Sequence, residues 1–171
     1  ALVIISLIIY SAIQAYYAIA GNFESKSSYH PHTKPIILGI LICIFIEIII
    51  GTEIRGGLDM SRKENPLIEG VILLKMLGPF KYMHTILGFT LLGLTIYLWK
   101  IVNDIKFISS SFMVNSVNFI MGLIITQIIL GEALVFLEVK PLMQLFHMWF
   151  SSLLVGLSVA SFTFYKISME K

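Results

Sequence analysis

Five stretches of this chain are apolar for the length a helix needs to cross a bilayer, and that narrows its possible folds more than any other feature. A helix rises about 1.5 Å per residue, so about 20 apolar residues cover roughly 30 Å of hydrocarbon. The stretches are residues 1–20, 35–54, 82–102, 112–137 and 142–167. They are continuous rather than alternating, which excludes a closed β-barrel. Hydrophobic residues make up 57% of the chain and charged ones 13%, against roughly half and a quarter in soluble domains. An ordinary soluble enzyme and a disordered chain are thereby excluded. The net charge is only +2, with no basic cluster to track a phosphate backbone, so a nucleic-acid partner is excluded too. The lone cysteine, Cys43, lies in an apolar run. It rules out a disulfide framework and a cysteine-based metal site, and reads as a small buried hydrophobe.

The expected fold is all-α and integral to a lipid bilayer. Five transmembrane helices are predicted, the last four forming an antiparallel four-helix bundle over 35–167, with residues 1–20 packed beside it. Pro35 and Pro141 suit the starts of the second and fifth helices. Gly56-Gly57 is predicted to end the second. Residues 1–20 begin without Met, a charged flank or the features of a signal peptide. They are expected to be a helix cut or processed near its start, and the chain part of a longer protein.

The long connection, 56–81, holds Asp59-Met60-Ser61-Arg62-Lys63-Glu64 and then an apolar run from Val71 to Leu77. That run is too short to span and reads as an amphipathic piece on the surface. The Lys/Arg distribution is a tie. Lys26, Lys34, Lys100, Lys106, Lys166 and Lys171 fall on one side, and Arg55, Arg62, Lys63, Lys75, Lys81 and Lys140 on the other. Shorter connections and the C-terminus carry the first set, which favours placing that set in the cytoplasm.

An internal repeat runs through the last four segments. Glu47-Ile48-Ile49-Ile50-Gly51 recurs as Gln127-Ile128-Ile129-Leu130-Gly131, and each precedes a connection and then a helix with an early histidine, His84 or His147. Both histidines lie within about two turns of the start of an entering helix. They therefore share one side of the membrane, at similar depth. Two facing imidazoles on neighbouring helices make a natural pair of axial ligands for a haem iron. A lone intramembrane histidine also serves as a helix–helix hydrogen-bond partner, although ionisable groups inside spans are costly and usually functional. His30 and His32 flank Pro31 in a polar connection and read as solvated loop residues.

Gly51 and Gly131 mark the repeat helices, while Gly88 and Ser151 each follow a histidine by one turn. Such small residues either let helices approach closely or make room for a flat macrocycle. Near the same face lie Glu53, Arg55, Glu132 and Glu138, with Glu47 deeper. Arg55 suits a porphyrin propionate, because a guanidinium binds carboxylate in bidentate fashion. It would otherwise snorkel to water or pair with Glu53. Glu47 and Glu132 read as proton-handling groups or as hydrogen-bond partners of a neighbouring helix. Gln127 in the matching position favours a structural polar contact for Glu47.

These pieces resemble the haem A synthase family. The matching parts are Glu47 to Arg55, Asn65-Pro66-Leu67-Ile68, Phe80 to Gly88, and Gln127 to Ser151 with Pro141 and His147 inside it. The resemblance implies an eight-helix membrane protein of two similar halves, of which this chain looks like the C-terminal one. It implies oxidation of the methyl group of haem O to the formyl group of haem A, for cytochrome oxidase. In that half a haem b sits between two histidines, here matching His84 and His147, with Gly51, Arg55, Gly88, Gly131 and Ser151 as candidate cofactor contacts. The family's substrate site and essential glutamate belong to the other half, so no catalytic residue is assigned here and the chain alone is expected to be inactive. The implied partners are the N-terminal half, haem O, the lipid bilayer and respiratory oxidase assembly proteins. The implied location is the inner membrane, multi-pass, with both histidines extracytoplasmic. One departure is Thr85, where the family has arginine after the histidine.

Two other functions fit the composition. A cytochrome b561-like electron carrier would need four intramembrane histidines, and only two are found. A non-catalytic subunit or assembly factor of a respiratory complex would carry no haem.

Overall fold

The computed structural model describes residues 2–20, 28–104, 106–107, 109–137 and 140–169. Its elements are α1 (Leu2–Ala20), α2 (Thr33–Glu64), α3 (Gly70–Met76), α4 (Phe80–Val102), α5 (Ser111–Phe136) and α6 (Pro141–Met169). Of the residues read above, Ala1, Lys26, Glu138 and Lys171 lie outside the described ones.

Among the described residues four helices, α2, α4, α5 and α6, are long and apolar enough to cross a membrane. The expectation of five is met for four of them. The apolar part of α1, Val3–Ile19, is shorter and covers about 25 Å along its axis. Contacts run from α2 to α4, α4 to α5, α5 to α6 and α6 back to α2, while α1 leans on α6 and α3 on α2. Gly156 is what lets α1 come close, since a Cβ there would meet Ile9 Cδ1 at 3.2 Å. Lys166 Nζ then donates to Tyr10 Oη at 3.1 Å across the same contact.

The core follows helical spacing. Ile37, Ile40 and Ile44 on α2, Leu91 and Leu98 on α4, Met113, Val117, Ile120 and Ile124 on α5, and Val155 and Val159 on α6 form one buried cluster. All of these lie toward the end where α4 runs into α5. There Ser110 caps α5, its hydroxyl accepting from Met113 N at 3.2 Å, and Tyr29 Oη donates to the same hydroxyl at 3.2 Å. At the other end the picture changes. Residues 45–57 of α2, 80–90 of α4, 125–136 of α5 and 141–153 of α6 include no buried residue. Large apolar side chains on the outward faces, such as Ile49, Phe119 and Ile129, are more than half exposed, as lipid contact requires.

The expected helix stop at Gly56-Gly57 is overturned: α2 runs on to Glu64. Gly57 instead serves a close approach, because a Cβ there would lie 2.7 Å from Leu77 Cδ2. Leu58, 1% exposed, and Leu73, 0% exposed, pack together beside Leu77 and Leu134, so the continued turn has a partner that a sequence reading does not see. The helix ends where Asn65 precedes Pro66, a residue that disfavours helical geometry before it. The expected amphipathic piece is α3, anchored through Leu73. The turn from α3 to α4 takes Gly78 at φ +67°, a conformation that glycine adopts without steric cost.

Candidate functional site

His84 stands on the first turns of α4 and His147 on those of α6. Their ring centroids lie 6.3 Å apart with an interplanar angle of 59°. The pairing expected from the repeat is therefore present in space, in the stretch where residues 45–57, 80–90, 125–136 and 141–153 include no buried residue.

Each ring is held by its own repeat unit. Gly51 faces His84, where a Cβ would sit 3.3 Å from Cε1, and Gly131 faces His147, where the same distance would be 3.8 Å. Gly51 thus leaves room for the His84 ring, on which a larger residue would press, whereas a Cβ at Gly131 would make an ordinary contact with His147. One turn beyond each histidine the small residue meets the polar residue of its repeat. A Cβ at Gly88 would come to 3.3 Å from Glu47 Oε1. Ser151 Oγ receives a hydrogen bond from Gln127 Nε2 at 3.0 Å and donates to the His147 main-chain oxygen at 2.9 Å.

The two polar residues then diverge. Gln127 Nε2 also donates to the His147 main-chain oxygen at 2.7 Å, so it clamps the backbone of α6. Glu47 Oε1 instead lies 3.3 Å from His84 Nδ1, against the ring itself. Among the described residues seven buried side-chain polar atoms lack a hydrogen-bond partner, and four are here: Glu47 Oε2, His84 Nδ1, Gln127 Oε1 and His147 Nδ1. Buried polar groups are normally satisfied, so this concentration of unsatisfied atoms singles the region out.

The remaining candidates are placed as follows. Arg55 donates through Nη1 to Met148 Sδ, next to His147, and lies 3.9 Å from Asp59, with both side chains about half exposed. Its carboxylate partner here is thus Asp59, one turn away, rather than Glu53. The i,i+4 spacing of Arg55 and Asp59 carried that signal, whereas nothing in the sequence pointed to Met148. Glu53 and Glu132 are exposed. Thr85 Oγ1 donates to the Lys81 main-chain oxygen at 3.0 Å, so it turns back on its own helix.

His30 and His32 are less free than expected. His32 N donates to His30 Nδ1 at 3.1 Å, His32 Nδ1 is 3.0 Å from Tyr97 Oη, and His30 packs edge-on to Phe107 at 5.2 Å. They stand at the packed end, away from His84 and His147.

No group of three or more His, Cys, Asp or Glu side chains converges among the described residues. A metal at the histidine pair would therefore need most of its ligands from a macrocycle, leaving two axial positions to the protein. Two imidazoles held opposite each other on one ion, each at about 2 Å, have centres about 6 Å apart. The centroid separation of 6.3 Å is of that size.

A family model described as cytochrome oxidase assembly protein, COX15-CtaA, matches residues 1–159. No curated protein and no solved structure gives a significant match. The chain belongs to the COX15-CtaA family, the family of the haem A synthases, and has a role in cytochrome oxidase assembly.

Proposed function

We propose that this family member is the haem b-holding half of a haem A synthase-like membrane oxidoreductase, which converts haem O to haem A for cytochrome oxidase. The observation that carries the reading is the His84–His147 pair, 6.3 Å apart, with both Nδ1 atoms buried and without a hydrogen-bond partner.

On this reading His84 and His147 supply the two axial nitrogens of one haem. Gly51 keeps the His84 imidazole unhindered, Gly131 faces His147, and Gly88 and Ser151 keep their neighbours close. Arg55 offers its guanidinium to a propionate, a role open to it because its ion pair with Asp59 is long and half exposed. When bound, a haem held through both His84 and His147 would supply one-electron redox chemistry. That suits electron transfer rather than oxygenation, so the methyl oxidation belongs to a partner half with its own site. The reading also takes α1 as a fifth span, the four long helices as an antiparallel bundle, the inner membrane as the location and the histidine side as extracytoplasmic.

The test is haem content. Purified chain should carry one haem b by pyridine haemochrome assay. His84→Ala or His147→Ala should lose it, while His30→Ala and His32→Ala should keep it. Haem that survives loss of both His84 and His147 contradicts the reading. Cells that make haem O and express only this chain should yield no haem A, and its appearance would place a substrate site within these helices.

A further inference from the structure

The two halves of the repeat treat their histidines differently, and the difference falls at one side chain. Glu47 and Gln127 occupy matching positions. Gln127 spends its amide on the backbone and on Ser151. Glu47 places a carboxylate oxygen 3.3 Å from the His84 ring nitrogen, with the two side chains 18% and 27% exposed. Its other oxygen is buried with no hydrogen-bond partner. Gly88 preserves the approach, since any side chain there would press on Oε1.

A carboxylate inside a span is costly. Holding α2 against α4 does not require it, because a neutral amide pins α5 to α6 in the other repeat. A carboxylate beside a ligating imidazole has a specific effect. It fixes which ring nitrogen carries the proton, orients the ring and raises the basicity of the ligating nitrogen.

We infer, on the haem-binding reading above, that Glu47 is a positioning residue for His84: it accepts the Nδ1–H, directs Nε2 toward the iron and lowers the midpoint potential of the bound haem. At 3.3 Å the Nδ1 atom is within ion-pair reach of Oε1 but makes no hydrogen bond to it, so the proposed bond requires the ring to turn toward Oε1. The asymmetry makes one axial ligand electron-rich and leaves the other without a carboxylate. A haem so held is a stronger reductant toward its electron acceptor than one between two such neutral sites.

The experiment is a spectroelectrochemical titration of the haem-loaded chain in detergent, comparing wild type with Glu47→Gln, Gly88→Ala and Glu132→Gln. Glu47→Gln keeps the haem and the low-spin spectrum. Its ferrous-to-ferric ratio at a fixed ambient potential rises about ten-fold, a shift of about 59 mV for one electron. Gly88→Ala crowds the carboxylate and shifts the potential in the same direction by less. Glu132→Gln removes an exposed carboxylate from α5 and shifts it least. An unchanged potential in Glu47→Gln, or an equal shift in Glu132→Gln, overturns the role. Should Glu47→Gln lose the haem, an unshifted Gly88→Ala overturns it instead. A wild-type chain that binds no haem contradicts the site reading itself, a result separable from these.

Discussion

At the end where α4 runs into α5, Ile37, Ile40, Leu98, Met113, Val117 and Ile120 are sealed from any surrounding. Toward the other end residues 45–57, 80–90, 125–136 and 141–153 of the same four helices include no buried residue until Leu58 packs under α3, and the groups that meet there are Glu47, His84, Gln127 and His147. One end supplies the packing that fixes the helices relative to one another. The other inherits that fixed spacing and brings polar side chains together in it. Division of labour of this kind lets a polar site sit in an apolar protein without carrying the burden of holding it together.

Four tests would break or sharpen this contrast. The largest effect is expected from His84→Ala or His147→Ala: haem retention is lost while helix content by circular dichroism stays unchanged, because neither ring belongs to the packed cluster. Next comes the packed end. Ile120→Ala, at a position 2% exposed, should cost about 2–4 kcal/mol in detergent unfolding. Ile129→Ala, at a position 63% exposed, should stay within about 0.5 kcal/mol. Equal losses at both positions would erase the distinction between the ends.

Gly51→Val comes third. Its added Cβ would lie 3.3 Å from His84 Cε1, so haem affinity should fall with little change in unfolding. Gly93→Ala, which meets nothing within 4 Å, should leave affinity alone. The smallest effect belongs to Asp59→Ala. The ion pair with Arg55 is 3.9 Å long and about half exposed, so its loss should cost under about 1 kcal/mol.

Much of the fold was legible because hydrophobic length is a local property. The extents of α4 and α5 match the apolar runs to within two residues at each end. The helix stop at Gly56-Gly57 was misread because glycine has two uses, and only the approach of Leu77 shows which applies. The histidine pair was legible because a repeat carries topology as well as composition. The different roles of Glu47 and Gln127 were not, since equivalent positions in a repeat need not point at equivalent atoms. The Arg55–Met148 contact joins α2 to α6 and leaves no periodic trace. His30 and His32 were read as solvated because Tyr97 and Phe107, which engage them, lie far along the chain.

The central claim is that His84 and His147 fill both axial positions of one haem. Electron paramagnetic resonance of the ferric protein, read beside its optical spectrum before and after reduction under carbon monoxide, tests it most directly. The account predicts one low-spin haem per chain whose ferrous spectrum carbon monoxide does not alter. A high-spin signal, a carbon monoxide adduct in the intact protein, or a purified chain with no haem would contradict it.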